Sequence, residues 1–388
     1  MNNRPGDPQV LRALRRPGRA GAVVIAVAIV VVVTVAGIGG YQYYEAHTGP
    51  APLVIYTYPG LLGSVSCGGE PLSGILANFS SAHHIPPIQV ECPSGTLVQT
   101  LEAQASSPSA DLVIGLDELT TPQAENLGLL IPYASPQLAS ITSSVVGYIS
   151  PQHYVTPYEY GFLGIDYTNA FANSTEGAVA RSSLVNFTTN ATWARGLAYE
   201  DPLSDITGEE FLAWTVEFYE HVLDENWTDF WKAILPYATD AGSWSTAFNT
   251  DFVGLGTSPM VVSYTTDPAS AVYYGEGSFF NTTVSLWEHA LYSWETIYGI
   301  GIVAGTRHLP LDQEFINYFL NGTVQSELPL NEWEYPANET VPLPALYDPL
   351  IPPSSITPLN EFTSGESASE IAANVTQWQT IWENLGDS

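Results

Sequence analysis

The sequence predicts an α/β protein, and three observations carry that prediction. Short β-rich apolar runs at residues 53–58, 88–92 and 110–114 alternate with stretches of helical spacing at 72–81, 97–105 and 121–126. Alternation of this kind builds βαβ units around a parallel sheet, whose ligands sit beyond the carboxyl ends of the strands. The chain has 388 residues, and the roughly 340 that follow its N-terminal segment exceed what one core usually holds, so two lobes are expected.

The N-terminal segment comes first. Residues 1–19 carry Arg4, Arg12, Arg15, Arg16 and Arg19, and residues 20–40 are an unbroken run of apolar and small residues. A helix of about 20 such residues spans a hydrocarbon core near 30 Å. With the arginines before it and Tyr41, Tyr43 and Tyr44 after it, the expected arrangement is a cytoplasmic tail (1–19), a single transmembrane anchor (20–44), a linker (45–51) and an exterior globular part. A cleavable signal peptide is the alternative, but its apolar region is normally shorter, about 7 to 15 residues. Asn-x-Ser/Thr sequons at Asn78, Asn173, Asn186, Asn190, Asn226, Asn281, Asn321, Asn338 and Asn374 suit an exterior location and make glycosylation an expectation.

Cys67 follows the first strand and Cys92 ends the second. Parallel strands finish on the same edge of a sheet, so the two cysteines are expected to form a disulfide. Asp117 sits just past the third strand, in the position of a ligand-binding residue. Residues 154–167 form a long aromatic extended stretch with Pro157 and Gly161, read as the crossing from lobe 1 to lobe 2. A second series then runs through a strand at 197–200, a turn at 201–205 and a helix at 209–223. The strand at 260–264, with the polar turn Thr265-Thr266-Asp267-Pro268, reads as the return crossing. Segments 286–298, 313–320 and 367–385 read as helices, the last opening with a capping box between Ser367 and Glu370 and setting Trp378 four residues before Trp382. Residues 52–157 and 268–388 are thereby assigned to lobe 1 and residues 158–267 to lobe 2.

Nine Lys and Arg stand against 40 Asp and Glu, a formal net charge of −31. Beyond the tail only Arg181, Arg195, Lys232 and Arg307 are cationic, too few to line a phosphate backbone, so nucleic acid is excluded as a partner. In a strongly acidic medium many of these carboxylates would be neutral, so an acidic habitat is expected, with an ordinary acidic surface kept for solubility as the alternative. There is no nucleophile elbow, phosphate loop or His-Glu-x-x-His motif, and the adjacent His83 and His84 lack further ligand spacing. Neither catalysis nor a metal or other cofactor is expected. Instead, Trp244, Tyr264, Trp333 and Tyr335 stand in turns, in a chain that places Asp117 and Asp267 at strand ends. Aromatic faces with a carboxylate attract a flat cation through stacking, cation–π and Coulomb attraction.

Several blocks, among them Gly115-Leu116-Asp117, Tyr199-Glu200-Asp201-Pro202, Trp244, Ser263-Tyr264-Thr265-Thr266-Asp267-Pro268 and Trp333-Glu334-Tyr335-Pro336, occur in an order and spacing that resembles the periplasmic thiamine-binding proteins across roughly residues 52–385. The resemblance implies a two-lobed type II periplasmic-binding-protein-like fold with two hinge crossings, and a monomer that delivers thiamine or its phosphates to an ABC transporter permease. It further implies that Trp244, Tyr264 and Trp333 contact the ligand rings and Asp117 its cationic or amino group, while the turn from Asp201 to Ser204 approaches the hydroxyethyl or phosphate end. Tyr160, Thr266, Asp267 and Tyr335 complete the expected ligand-binding set. Three positions depart from the family: Pro59-Gly60-Leu61 follow Tyr58 with no acid or later tryptophan, Glu159 replaces an aspartate, and Asp267 replaces a small residue. The extra acid at 267 favours unphosphorylated thiamine. A ferric-iron or polyamine binder and a membrane-anchored hydrolase are the competing readings.

Overall fold

The computed structural model describes residues 51–62, 67, 70–94, 96–275, 279–360 and 368–386. The basic tail, the anchor, nearly all of the linker and Ser367 of the predicted capping box lie outside them. Among the described residues, no helix is long and apolar enough to cross a membrane.

Fourteen strands are present: β1 (Val54–Tyr56), β2 (Gln89–Glu91), β3 (Leu112–Leu116), β4 (Leu130–Ile131), β5 (Val155–Thr168), β6 (Leu197–Tyr199), β7 (Thr239–Asp240), β8 (Met260–Tyr264), β9 (Phe280–Thr283), β10 (Ser285–Trp287), β11 (Ala290–Ser293), β12 (Glu295–Val303), β13 (Tyr335–Pro336) and β14 (Ile356–Pro358), counted among the described residues. Eight of them follow the order β2-β1-β3-β12-β5-β8-β6-β7. The predicted βαβ start is present: β1 pairs in parallel with β2 and β3, and the helix Glu70–His83 intervenes. Cys67 and Cys92 form the expected disulfide, with Cα atoms 5.6 Å apart.

The sheet is mixed rather than parallel, because β5 and β12 run against their neighbours. β5 is the long aromatic stretch. Its first half pairs with β12, from Val155 opposite Gly301 to Phe162 opposite Glu295, and its second half pairs with β8, from Leu163 opposite Tyr264 to Tyr167 opposite Met260. The two halves serve different cores. Tyr158 packs in a first core with Ile55, Leu112, Ile114, Ile300 and Phe315. Leu163 and Ile165 pack in a second with Phe211, Trp214, Trp231 and Val262.

The structure differs from the sequence reading in three places. Segment 286–298 is not helical: it folds into the antiparallel pair β10–β11 and the start of β12, and Glu288 and His289 turn the hairpin with φ of 44° and 74°. Left-handed backbone at both central residues is what a two-residue hairpin loop needs, and Asn-Gly or Asp-Gly would have advertised it. The chain does not return at 260–268, since β8 stays paired to β5 and β6. It passes back between Trp294, in the second core, and Ile297, in the first. Finally, the terminal helix Ala368–Gly386 packs Ile371, Val375, Trp378 and Trp382 into the second core, with Trp382 edge-on to Trp231 at 5.7 Å.

The richness in sequons has a partly local cause. Asn190, Asn226 and Asn321 cap helices, each accepting the N–H of the Thr two residues on. Asn338 does the same in a turn, and its amide nitrogen, at 2% residue exposure, donates to the Leu320 carbonyl. An Asn-x-Thr spacing therefore also serves Asx capping.

Candidate ligand site

The site is built where the two cores meet, from the end of β3 outward. Asp117 is buried, and its Oδ1 accepts from the Leu119 N–H (2.8 Å), the Thr120 N–H (2.6 Å) and the Thr120 hydroxyl (2.8 Å) in the turn that leads into the helix Thr120–Asn126. Burial raises its pKa, against the lowering effect of those donors. Next to it Glu118 accepts from the Trp294 indole (2.6 Å) and the Ile297 N–H (2.9 Å).

The helix Ile206–Glu217 brings two more carboxyls. Asp205 caps it through the Thr207 N–H (3.0 Å), which fixes Glu209 and Glu210 in its first turns. Glu210 Oε2 accepts from the Thr296 hydroxyl at 2.9 Å, and its buried Oε1 has no hydrogen-bond partner among the described residues. Burial, reinforced by Asp117, pushes Glu209 up to about 8. Burial, then Glu118 and Asp117, raises Glu210 well above the carboxylate range.

A row of phenols adjoins these acids. The Tyr264 hydroxyl lies 3.2 Å from that of Tyr298 and 3.2 Å from the Thr207 hydroxyl. The Tyr298 ring lies 5.9 Å from the ring of Tyr58, whose hydroxyl meets Tyr158 (3.1 Å) and Glu332 (3.2 Å). Gly115, at φ 100°, leaves room for the Tyr58 ring, which a Cβ there would overlap. Glu159 beneath this row is pushed up to about 8 by burial.

Trp244 is held by a separate chain of bonds. Its N–H donates to Asp205 (3.1 Å) and its indole to the Ser263 hydroxyl (2.9 Å). Ser263 in turn donates to Asp267, which also accepts the Tyr264 N–H (3.0 Å). One face of the indole stacks on Phe248, with centroids 5.1 Å apart and planes 9° from parallel. Trp244 heads a wide π-type turn, Ser245–Gly254, of the kind that recurs at functional sites.

With this geometry in view, solved structures identify the architecture. A periplasmic thiamin binding protein superposes with a TM-score of 0.70, covering 86% of this chain and 95% of its own at 21% identity. A ferric binding protein from Campylobacter jejuni superposes with a TM-score of 0.65, covering 86% and 99% at 16% identity. The fold is that of the periplasmic binding proteins. At the level of sequence, the thiamine-binding periplasmic protein of Escherichia coli K12 is 25% identical over 73% of this chain and 80% of its own. That of Brucella suis biovar 1 is 25% identical over 85% and 90%. The chain is thus similar to thiamine-binding periplasmic proteins over most of its length. No protein-family profile matches it.

Of the residues singled out in the sequence, Asp117, Tyr264, Trp244 and Asp267 are tied into the junction by the bonds above. Asp267 is 5% exposed and its Oδ2 is taken by Ser263 and Tyr264, so it acts on Trp244 through Ser263 instead of standing open. Tyr160 and Tyr335 face each other across β5 and β13, stacked at 5.5 Å. Glu334 lies over Gly161, where a Cβ would overlap its carboxylate, and beside the buried Thr266. Trp333, at φ 61°, packs against Tyr273 and Tyr274. Asp201 and Ser204 bond to each other (2.9 Å) in an exposed turn, so Asp201 spends its carboxylate locally on Ser204 and the Leu203 N–H.

Sequence reasoning missed Tyr58, Tyr298, Glu209, Glu210, Glu332 and Glu334. Gly161 inside an aromatic strand was a legible sign of close approach. The others are brought in from distant segments and leave no local mark.

Proposed function

We propose that the protein is an extracytoplasmic solute-binding protein that captures thiamine at this junction and hands it to an ABC importer. The observation that carries the reading is a site of carboxyls and phenols, most of them buried, whose protonation is governed by burial and by neighbouring acids, with no basic side chain among the described residues acting on it. A thiazolium is a permanent cation on a flat ring, and its aminopyrimidine can donate to carboxylates. Asp117 and Tyr264 are the ligand contacts with Glu209 and Tyr298 beside them, and Trp244 stacks on a ring. The similarity to curated thiamine-binding proteins supports the same ligand.

Without a cation to meet phosphate, the site favours thiamine over its mono- and diphosphate. The core formed around residues 53–158 and 297–337 and the core formed around 163–262 are two lobes, and hinge bending along β5 and near 294–297 closes them on the ligand for the permease. The globular part is a monomer outside the cell, held by the anchor at 20–44, in an acidic habitat.

Ferric iron is the second reading, favoured by the paired phenols and by iron-binding neighbours of the same fold. Burial raises the pKa of Tyr264 and Tyr298 well above the usual phenol value, which disfavours the phenolates that iron takes. A thermal-shift series on the protein with thiamine, both phosphates, spermidine and ferric citrate separates the readings. Thiamine raises the unfolding midpoint most. A larger shift with iron and a visible absorption band would establish the iron reading.

A further inference from the structure

The acids at the junction form one cluster, although they come from separate segments. Three successive residues of β12 gather it: the Thr296 hydroxyl holds Glu210, the Ile297 N–H holds Glu118, and the Tyr298 hydroxyl meets Tyr264. Asp117 adjoins Glu118 at the end of β3, and Glu209 adjoins Glu210 on the facing helix. Among the described residues, the groups facing the cluster from the elements packed on it are acids or neutral donors: Trp294 just before β12, Thr296 and Tyr298 on β12, Tyr264 on β8, Thr207 and Thr120 at the two helix starts. Glu118 spends both oxygens on Trp294 and Ile297, and Asp117 spends Oδ1 on the turn at Leu119 and Thr120. Glu210 is 0% exposed and keeps Oε1 without a partner among the described residues.

Asp117, Glu118 and Glu210 are buried and Glu209 is half-buried beside them, and carboxyls packed together with no counter-ion among the described residues cannot all be charged, so the site holds protons in place of a cation. We propose, building on the reading of a thiamine site, that Glu209 and Glu210 with Asp117 are the counter-ion of the ligand's cationic ring, and that capture is an exchange in which the cation enters and a carboxyl proton leaves to solvent. The direction of the pKa shifts agrees, since all four carboxyls are raised by burial and at least three are raised further by one another. The exchange makes affinity a function of pH, weaker in acid and tighter toward neutrality, and selects cations against neutral rings of the same shape.

The test is calorimetric titration of the protein with thiamine at pH 6, 7 and 8, in buffers of different ionisation enthalpy. The thiazolium charge does not titrate in that range but the aminopyrimidine ring nitrogen does just below it, so the protons assigned to the carboxyls are those that Glu209→Gln or Glu210→Gln removes. About one proton is released, and Kd falls by up to about tenfold per pH unit. Glu210→Gln keeps the shape and the acceptor for Thr296 but abolishes most of the proton release and flattens the pH dependence, and Glu209→Gln does so too. A purely structural role for these residues would lower the unfolding midpoint and leave the proton count unchanged, which overturns the proposal. Binding with no proton exchange in the unaltered protein overturns the exchange but keeps the thiamine reading. Absence of binding heat at every pH overturns both.

Discussion

Trp244 and Asp267 illustrate how one residue serves through another. The Trp244 backbone is fixed by Asp205 at its N–H, and the indole by Ser263 at its ring nitrogen and Phe248 on one face. Removing a pre-oriented ring from a binding site costs about 2 kcal/mol or more. Trp244→Ala is therefore expected to weaken thiamine binding roughly 30-fold by calorimetry. Unchanged affinity would take Trp244 out of the site. Asp267→Ala leaves Ser263 without its acceptor and loosens the same ring, so its loss is in the same direction and smaller. The residue at 267 was legible in the sequence as an acid at a strand end. That its charge is spent inward, on Ser263 and the Tyr264 N–H, was not, because only the turn after β8 sets that direction.

At the scale of elements, β5 is the piece on which both cores depend. Gly161 sits where Glu334 crosses it, opposite Thr296 of β12. Gly161→Ala pushes a methyl into that carboxylate and should cost about 1 to 3 kcal/mol in chemical unfolding. Combined with Glu334→Ala the cost should largely vanish, because the two changes share one contact; strict additivity would show that the contact is not the cause. The disulfide spans 25 residues, and its loss by Cys67→Ser with Cys92→Ser should cost about 3 kcal/mol. The βαβ start and this bridge were readable because they rest on local periodicity and a short loop. The hairpin at Glu288 and His289 was not, since neither residue announces left-handed backbone. The closure of β12 on β5, and the bond from the Trp294 indole to Glu118 across 176 residues, lie beyond what any window of sequence displays.

At the scale of the whole molecule, acidity becomes an energetic property. Glu159 and Glu209 are pushed up to about 8, Asp312 to about 7 and Asp267 to about 6, each first by burial. Unfolded carboxyls titrate near 4, so between about pH 4 and 8 the folded state binds more protons than the unfolded one. The associated stability is complete below about pH 4 and is lost as pH rises through the folded values. The unfolding midpoint of the free protein should accordingly be higher at pH 4.5 than at pH 7.5. A midpoint that drops on acidification would show that these carboxyls are charged in the fold. The carboxyls at the junction, once they give up a proton, suit a cation and disfavour phosphate. Calorimetric titration with thiamine and with thiamine diphosphate, in one buffer and on one preparation, tests that claim most directly. The account predicts saturable binding of thiamine at one site per chain, at least tenfold tighter than the diphosphate; equal or tighter diphosphate binding, or no saturable heat with thiamine, would contradict it.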